Sequence, residues 1–350
     1  MDNALAPAPS QASQDDTAPP AIGDWLDAAA AQVEHDVFAA IDRHAKTQRQ
    51  ADLLQAILRG AMAARGAEGG VCRVAMRLPL LVHAAMRGDI GADAVTLASA
   101  LTLLEAGIYT FDHILDREIE GPLAQLPPGQ VLLGAACLLS HLPNQVLLQI
   151  QGGAEAGVQL MGMLANGLAV IAAGQLEDMA AADETMPTSV AIQRAAEMKT
   201  GERRSLYATL AARLAGASDE RIVSLGQYGK ELGTARQLRS DLQDLYGSQP
   251  SRDQASGTLT LPLVLYLEQA DSAGRDAMRA LLASPNDGPE RQRTVCRLLR
   301  EAGILRKVAI RLEQHCRSAL AHLARARPNE RVTPLLREMA QNVSLLGAQS

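Results

Sequence analysis

From Ala92 to Phe111 the chain is mostly apolar or small, long enough for a core helix, and it runs into two aspartates, Asp112 and Asp116. Their i,i+4 spacing puts both carboxylates on one helix face, about a turn apart. A helix this apolar must be buried along much of its length. Paired carboxylates at its inner end are costly unless a cation neutralises them. Oxygen-only ligands of this kind suit magnesium, which commonly bridges a carboxylate and a substrate phosphate. A pair facing solvent at a helix end has the same spacing, so the decision rests on whether the chain supplies a second cluster.

It does. Gln237, Asp241 and Asp244 fall at i, i+4 and i+7 in a later helical stretch, which again makes one face. Opposed across a helical bundle, the two faces would form a clamp for metal and diphosphate, with Asp112, Asp116, Asp241 and Asp244 as magnesium ligands. No period-2 alternation of useful length and no internal repeat is present, and with 47% hydrophobic but only 2% aromatic residues the composition favours helix over sheet. The reading is an all-α single domain over 23–350, a helical bundle of roughly ten or more helices, behind an N-terminal tail (1–22) rich in Ala, Pro, Ser and Asp. That tail has neither the basic start nor the apolar core of a secretory signal.

Helices are expected over Asp24–Lys46, Ala51–Ala64, Arg73–Arg87 with an interruption or late start at Pro79, and the segment ending at Asp112. Further helices follow over Val131–Ile150 with a break at Pro143, Ala156–Ala182, Thr188–Ala196, Arg203–Leu214 and Ser218–Tyr246. The remainder reads as Leu259–Leu267, Gly274–Ala283, one long helix Glu290–Ala324, and Thr333–Leu346. The net charge of −6 without a basic block argues against a nucleic-acid partner. Val131–Leu139 and Val158–Ala173 are too short or too broken by Gly and Asn to be read as membrane spans. Cys72, Cys137, Cys296 and Cys316 show no paired metal spacing and read as reduced thiols of a cytoplasmic protein.

The sequence resembles the trans-isoprenyl diphosphate synthase (polyprenyl synthetase) family. The family's two Asp-Asp-x-x-Asp motifs correspond to Asp112-His113-x-x-Asp116 and Ser240-Asp241-x-x-Asp244. Tyr228-Gly229-x-x-Leu232-Gly233-x-x-x-Gln237 matches the approach to the second motif, and Gly174-Gln175-x-x-Asp178 matches Gly-Gln-x-x-Asp. Lys199-Thr200-Gly201 and Thr260-Leu261-Pro262 match two further landmarks, all in family order. The resemblance implies a magnesium-dependent prenyltransferase that ionises an allylic isoprenoid diphosphate, releasing pyrophosphate. It implies diphosphate contacts by Lys199, with Gln175, Asp178, Gln237, Arg203 and Arg204 around the substrate. It also implies an apolar cavity walled by Leu101, Leu104, Ile108 and Tyr109, made deep by Gly107 at the position that often sets product length. Homodimers are common in the family. On spacing alone, Gln175 and Asp178 are equally an ordinary helix-end polar pair, and Lys199 equally a solvated surface lysine.

The departures from the family pattern concentrate on the second substrate's sub-site. The Gly-Lys-Arg-x-Arg-Pro stretch that binds isopentenyl diphosphate reads Gly69-Gly70-Val71-Cys72-Arg73 here and continues to Arg77 and Pro79. The later arginine pair is Ile119-Glu120, and a lysine is replaced by Thr258. Three readings follow. The cation goes to an acceptor other than isopentenyl diphosphate; or it cyclises, as in a terpene cyclase; or the chain is a non-catalytic partner subunit. Displaced Arg73 or Arg77 would be the route back to ordinary elongation. His113, at i+1 from Asp112, is expected to turn away from the metal face.

Overall fold

The computed structural model describes residues 22–64, 70–116, 118–119, 121–151, 154–183, 187–246, 259–283 and 289–347, and every regular element among them is helical. The expected tail lies outside the described residues except for Ile22, as do Gly69, Arg117, Glu120 and Thr258. In chain order the elements are α1 (Ile22–His44), α2 (Gln48–Ala63), α3 (Val71–Arg87) and α4 (Ala92–Leu115), then α5 (Pro128–Ala136), α6 (Leu142–Leu147) and α7 (Ala154–Asp183). They continue with α8 (Ser189–Ala196), α9 (Glu202–Leu214), α10 (Asp219–Tyr246), α11 (Leu261–Gln269), α12 (Ser272–Leu282), α13 (Pro289–Glu301), α14 (Ile304–Ala326) and α15 (Thr333–Val343). Side-chain oxygens cap several N-termini: Thr47 accepts from Gln50 N, Thr188 from Ala191 N and Asp271 from Gly274 N.

The apolar segment before Asp112 forms α4, the centre of the bundle, packed by α1, α2, α3, α5, α6 and α9. Leu97, Leu101, Leu103 and Leu104 are completely buried. Two π-helical turns interrupt the other long helices. One, Cys137–His141, joins α5 to α6. The other, Glu197–Gly201, joins α8 to α9 with right-handed backbone on both sides, so α8 and α9 are one helix carrying an inserted residue.

Four expectations change. Pro79 does not interrupt α3, which runs through it from Val71 with Pro79 buried; packing on α4 and α9 outweighs the lost hydrogen bond. The break expected at Pro143 is the π turn before it, and the proline sits in the first turn of α6. The single helix expected over Glu290–Ala324 is two, because Gly303 takes a left-handed conformation (φ 71°). Finally, two helices are long and apolar enough to cross a membrane by length and composition, where none was expected. The apolar window of α4 is 78% buried inside the bundle, whereas that of α7, Glu155–Ala181, is only 22% buried.

Candidate active site

The two faces of α4 have different surroundings. Asp112 and Glu105, two turns apart, point toward α9 and the π turn before it: Lys199 Nζ is 3.9 Å from Asp112 Oδ1, and Arg203 Nη1 is 3.5 Å from Glu105 Oε1. Tyr109 and His113 lie on another face, their ring centroids 4.0 Å apart, in a cleft shared with Gly60, Ala64 and Leu123. His113 Nδ1 is 2.9 Å from its own helix's Tyr109 carbonyl oxygen. His113 is therefore turned from Asp112, as its i+1 spacing predicts. Tyr109 goes with it, contrary to its expected place on the wall beneath Asp112.

The π turn joins the two carboxylate clusters. Lys199 Nζ also donates to Asp178 Oδ2 of α7 at 3.3 Å. The next residue, Thr200, donates through Oγ1 to Gln237 Oε1 at 3.0 Å, and Gln237 Nε2 donates to Asp241 Oδ1 at 3.0 Å. A single turn thus holds the first aspartate motif with one residue and the second with its neighbour. Glycines let it sit there. A Cβ on Gly174 of α7 would come within 2.6 Å of Lys199 N, and one on Gly233 of α10 would collide with the Thr200 carbonyl. This close approach is the physical content of the Gly-Gln-x-x-Asp and Leu-Gly-x-x-x-Gln spacings.

Burial is the main cause raising the carboxyls of Asp116 and Asp244 above their ordinary range. At Asp116 the Lys199 ammonium opposes the rise, while Asp112, Glu118 and Asp178 add to it. At Asp244 Arg236 opposes it, and Glu118 again adds to it. Glu118 thus adds to the rise at one aspartate of each motif. Among the described residues, no three Asp, Glu, His or Cys side chains gather closely enough to hold a metal ion alone. Two carboxylate pairs, each with one member raised by burial, instead suit magnesium ions that complete their oxygen shell from a diphosphate. Gln175 Oε1, buried without a hydrogen-bond partner, is a further oxygen acceptor on this side. The residues present therefore fit magnesium held jointly with substrate.

Other expected site residues divide. Arg203 and Arg204 line a pocket of about 190 Å³ beside the clamp, together with Gln237. Leu101, Leu104 and Ile108 are buried. Gly107 does not deepen a cavity: a Cβ there would lie 3.0 Å from the Leu138 backbone, so its missing side chain is taken up by the π turn Cys137–His141. Arg73 and Arg77 face the outer, α1 side of α3, where Arg77 pairs with Asp27 at 3.4 Å, while Val71 and Val74 of the same helix face the pocket.

Sequence reasoning missed Glu105, Tyr207 and Arg236. Glu105 is buried, accepts a 2.5 Å hydrogen bond from the Tyr207 hydroxyl and pairs with Arg203. Burial, then the Glu105 charge, push the Tyr207 phenol well above its usual value. Burial opposes the charge on Arg203, but Glu105, Tyr207 and Asp112 together hold it more firmly protonated. A signal was present: Glu105 is an acid inside the apolar segment, i−7 from Asp112 and so on the same stripe.

The polyprenyl synthetase family profile matches residues 131–299. The chain is 27% identical over 247 residues to nonaprenyl diphosphate synthase of Mycobacterium tuberculosis, covering 67% of this chain and 71% of the relative. It is 26% identical over 221 residues to a short chain isoprenyl diphosphate synthase of Methanothermobacter thermautotrophicus, covering 60% and 67%. The fold is similar to the crystal structure of a polyprenyl synthetase from Streptomyces coelicolor A3(2), with a TM-score of 0.78 and 20% identity over 93% of this chain and 100% of that one. In its ordered landmarks and its all-helical bundle, the chain is similar to the trans-isoprenyl diphosphate synthase (polyprenyl synthetase) family.

Proposed function

We propose that the chain is a magnesium-dependent class I prenyltransferase that ionises an allylic isoprenoid diphosphate, releases pyrophosphate and passes the prenyl cation to an acceptor. The observation that carries this reading is the π turn whose Lys199 meets Asp112 and Asp178 while Thr200 positions Gln237 and Asp241. Asp112, Asp116, Asp241 and Asp244 would hold the magnesium, which supplies Lewis acidity toward the diphosphate. Lys199, beside Asp112 and Asp178, would donate to a diphosphate oxygen as charge develops there. Ile108, one turn before Asp112, and Leu104 and Leu101 behind it keep the helix beneath the aspartates dry, which protects an allylic cation from water.

Two further features belong to this reading. The exposed face of α7, with Val158, Val170, Leu176 and Met179, supports a homodimer. The four cysteines are free thiols, which supports a cytoplasmic location. Incubating the protein with geranyl, farnesyl or geranylgeranyl diphosphate and magnesium, with and without isopentenyl diphosphate, tests the activity. Magnesium-dependent pyrophosphate release is expected, and its absence under all these conditions overturns the reading. A hydrocarbon or alcohol formed from a single allylic substrate would assign the cyclase alternative instead.

A further inference from the structure

The net charge of −6 is divided unevenly along the chain. From Pro289 to Gly347, twelve Lys and Arg stand against five Asp and Glu, so the last three helices are basic on an acidic chain. On α14 the excess gathers on one side. Arg306, Lys307, Ile310, Arg317, Ala321 and Arg325 are all exposed. On a helix of 3.6 residues per turn, their spacing places them within roughly 100° of arc. The helix's single acid, Glu313, borders this stripe and is taken up by Ser344 Oγ at 2.9 Å and Leu345 N at 2.7 Å.

Two aliphatic side chains stand out in this basic setting. Ile310, one turn before Glu313, is 46% exposed, and Leu346, next to the Leu345 that Glu313 holds, is 70% exposed. Beside α14, and joined to it through the turn at Gly303, α13 exposes Arg293, Arg297 and Arg300 at i, i+4 and i+7, a single face. Among the described residues, only Arg297 of these seven bases is in an ion pair, with Glu301 at 3.1 Å.

A surface kept only for solubility intersperses both signs. Like charges held side by side repel one another, and an anionic partner relieves that repulsion. Surfaces that hold single-stranded nucleic acid add aromatic side chains for stacking, and the stripe has none. Aliphatic side chains standing among bases suit instead the headgroup region of an anionic bilayer, where charge attraction and shallow insertion act together. We propose that the outer faces of α13 and α14 form a peripheral docking surface for an anionic lipid bilayer, with Ile310 and Leu346 entering the headgroup layer. The opposite side of α14, with Val308, Leu312 and Leu323, stays packed in the bundle, so the protein rests on the bilayer and does not span it. This surface does not depend on the proposed reaction.

Flotation of the full chain with vesicles, without substrate or metal, tests this. Vesicles of phosphatidylcholine mixed with phosphatidylglycerol should carry the protein at low salt, and high salt should release it. Vesicles of phosphatidylcholine alone should not carry it. Each base near such a surface contributes about fivefold in affinity, so Arg306→Gln, Arg317→Gln and Arg325→Gln combined should weaken binding roughly a hundredfold. Arg306→Lys, Arg317→Lys and Arg325→Lys combined should bind as the wild type does. Ile310→Ser with Leu346→Ser should weaken binding several-fold and leave its salt dependence in place. No binding to the anionic vesicles, equal binding to neutral ones, or full binding by the folded glutamine variant each overturn the proposal. Preference for single-stranded RNA over vesicles also overturns it and assigns the stripe to nucleic acid. Because no substrate is present, failure of pyrophosphate release in the activity assay leaves the flotation result standing, and failure of flotation leaves the proposed function standing.

Discussion

The hydroxyl of Thr200 donates a 3.0 Å hydrogen bond to Oε1 of Gln237, tying the π turn before α9 to the helix that carries the second aspartate motif. Gln237 then presents its amide to Asp241, so the second motif's orientation depends on a residue one position from Lys199. Thr200→Val leaves the Gln237 oxygen without this donor and should cost about 1–3 kcal/mol, the usual penalty for an orphaned polar group. A lower melting temperature and a roughly tenfold slower pyrophosphate release are expected, with Thr200→Ser restoring most of both.

Lys199 and the aspartates should weigh on rate more than on folding. Removing one electrostatic contact to developing charge typically costs about 10²–10³ in kcat. Asp112→Asn, Asp241→Asn and Lys199→Gln are each expected to lose that much pyrophosphate release from an allylic diphosphate while keeping wild-type circular dichroism. Chelation of magnesium should abolish the activity of the wild type. Full activity in both aspartate variants would instead favour a non-catalytic subunit.

Gly233 faces the Thr200 carbonyl with less room than a methyl group requires. Gly233→Ala should push α10 from the π turn and destabilise the fold by about 1–3 kcal/mol, the usual range for overpacking. Gly216, where a Cβ would meet nothing within 4 Å, lacks such crowding, but its positive φ (72°) makes it a different test. Gly162, open and not left-handed, is the appropriate control, and Gly162→Ala should leave the melting temperature unchanged or slightly raised.

Asp116 and Asp244 should govern the pH dependence of metal binding. Their folded carboxyls lie above the ordinary value, chiefly through burial, so the metal-free fold binds these protons more tightly than the unfolded chain. The resulting stability is fully present below the unfolded value of about 3.9 and is lost as pH rises through the raised folded values. Asp116→Asn should therefore raise the melting temperature of the metal-free chain at pH 7 and leave it nearly unchanged near the unfolded value. Magnesium with pyrophosphate takes the ionised forms. Its affinity should grow with pH across the same window, with proton release detected by calorimetry in buffers of different ionisation enthalpy.

The apolar face of α7 predicts association. Leu176→Asp combined with Val170→Asp replaces two exposed apolar side chains with charges. Sedimentation should show twice the chain mass for the wild type and a monomer for the double variant. A wild type that sediments as a monomer at every concentration overturns the homodimer.

Much of the molecule is legible locally. The carboxylate pairs, the apolar run before Asp112 and the 3.6-residue pattern depend only on neighbours along one helix, so α4, α7 and α10 follow from the sequence closely. Errors occur where a distant element overrides a local rule. Pro79 stays helical because α4 and α9 pack around it. Gly107 marks the approach of the π turn at Leu138 instead of a deep pocket, and nothing in its own neighbourhood announces that partner.

The sequence by itself determined an all-helical chain with a carboxylate face on each of two helices, because helix periodicity and burial act on each segment separately. Only the tertiary structure decided what lies between those faces. The π turn links Lys199 to Asp112 and Thr200 to Gln237, and four helices converge to put three arginines and Glu105 around one pocket. Side chains from Glu105 to Ser240 meet there through the folding of the whole bundle, and no spacing along the chain encodes such a meeting.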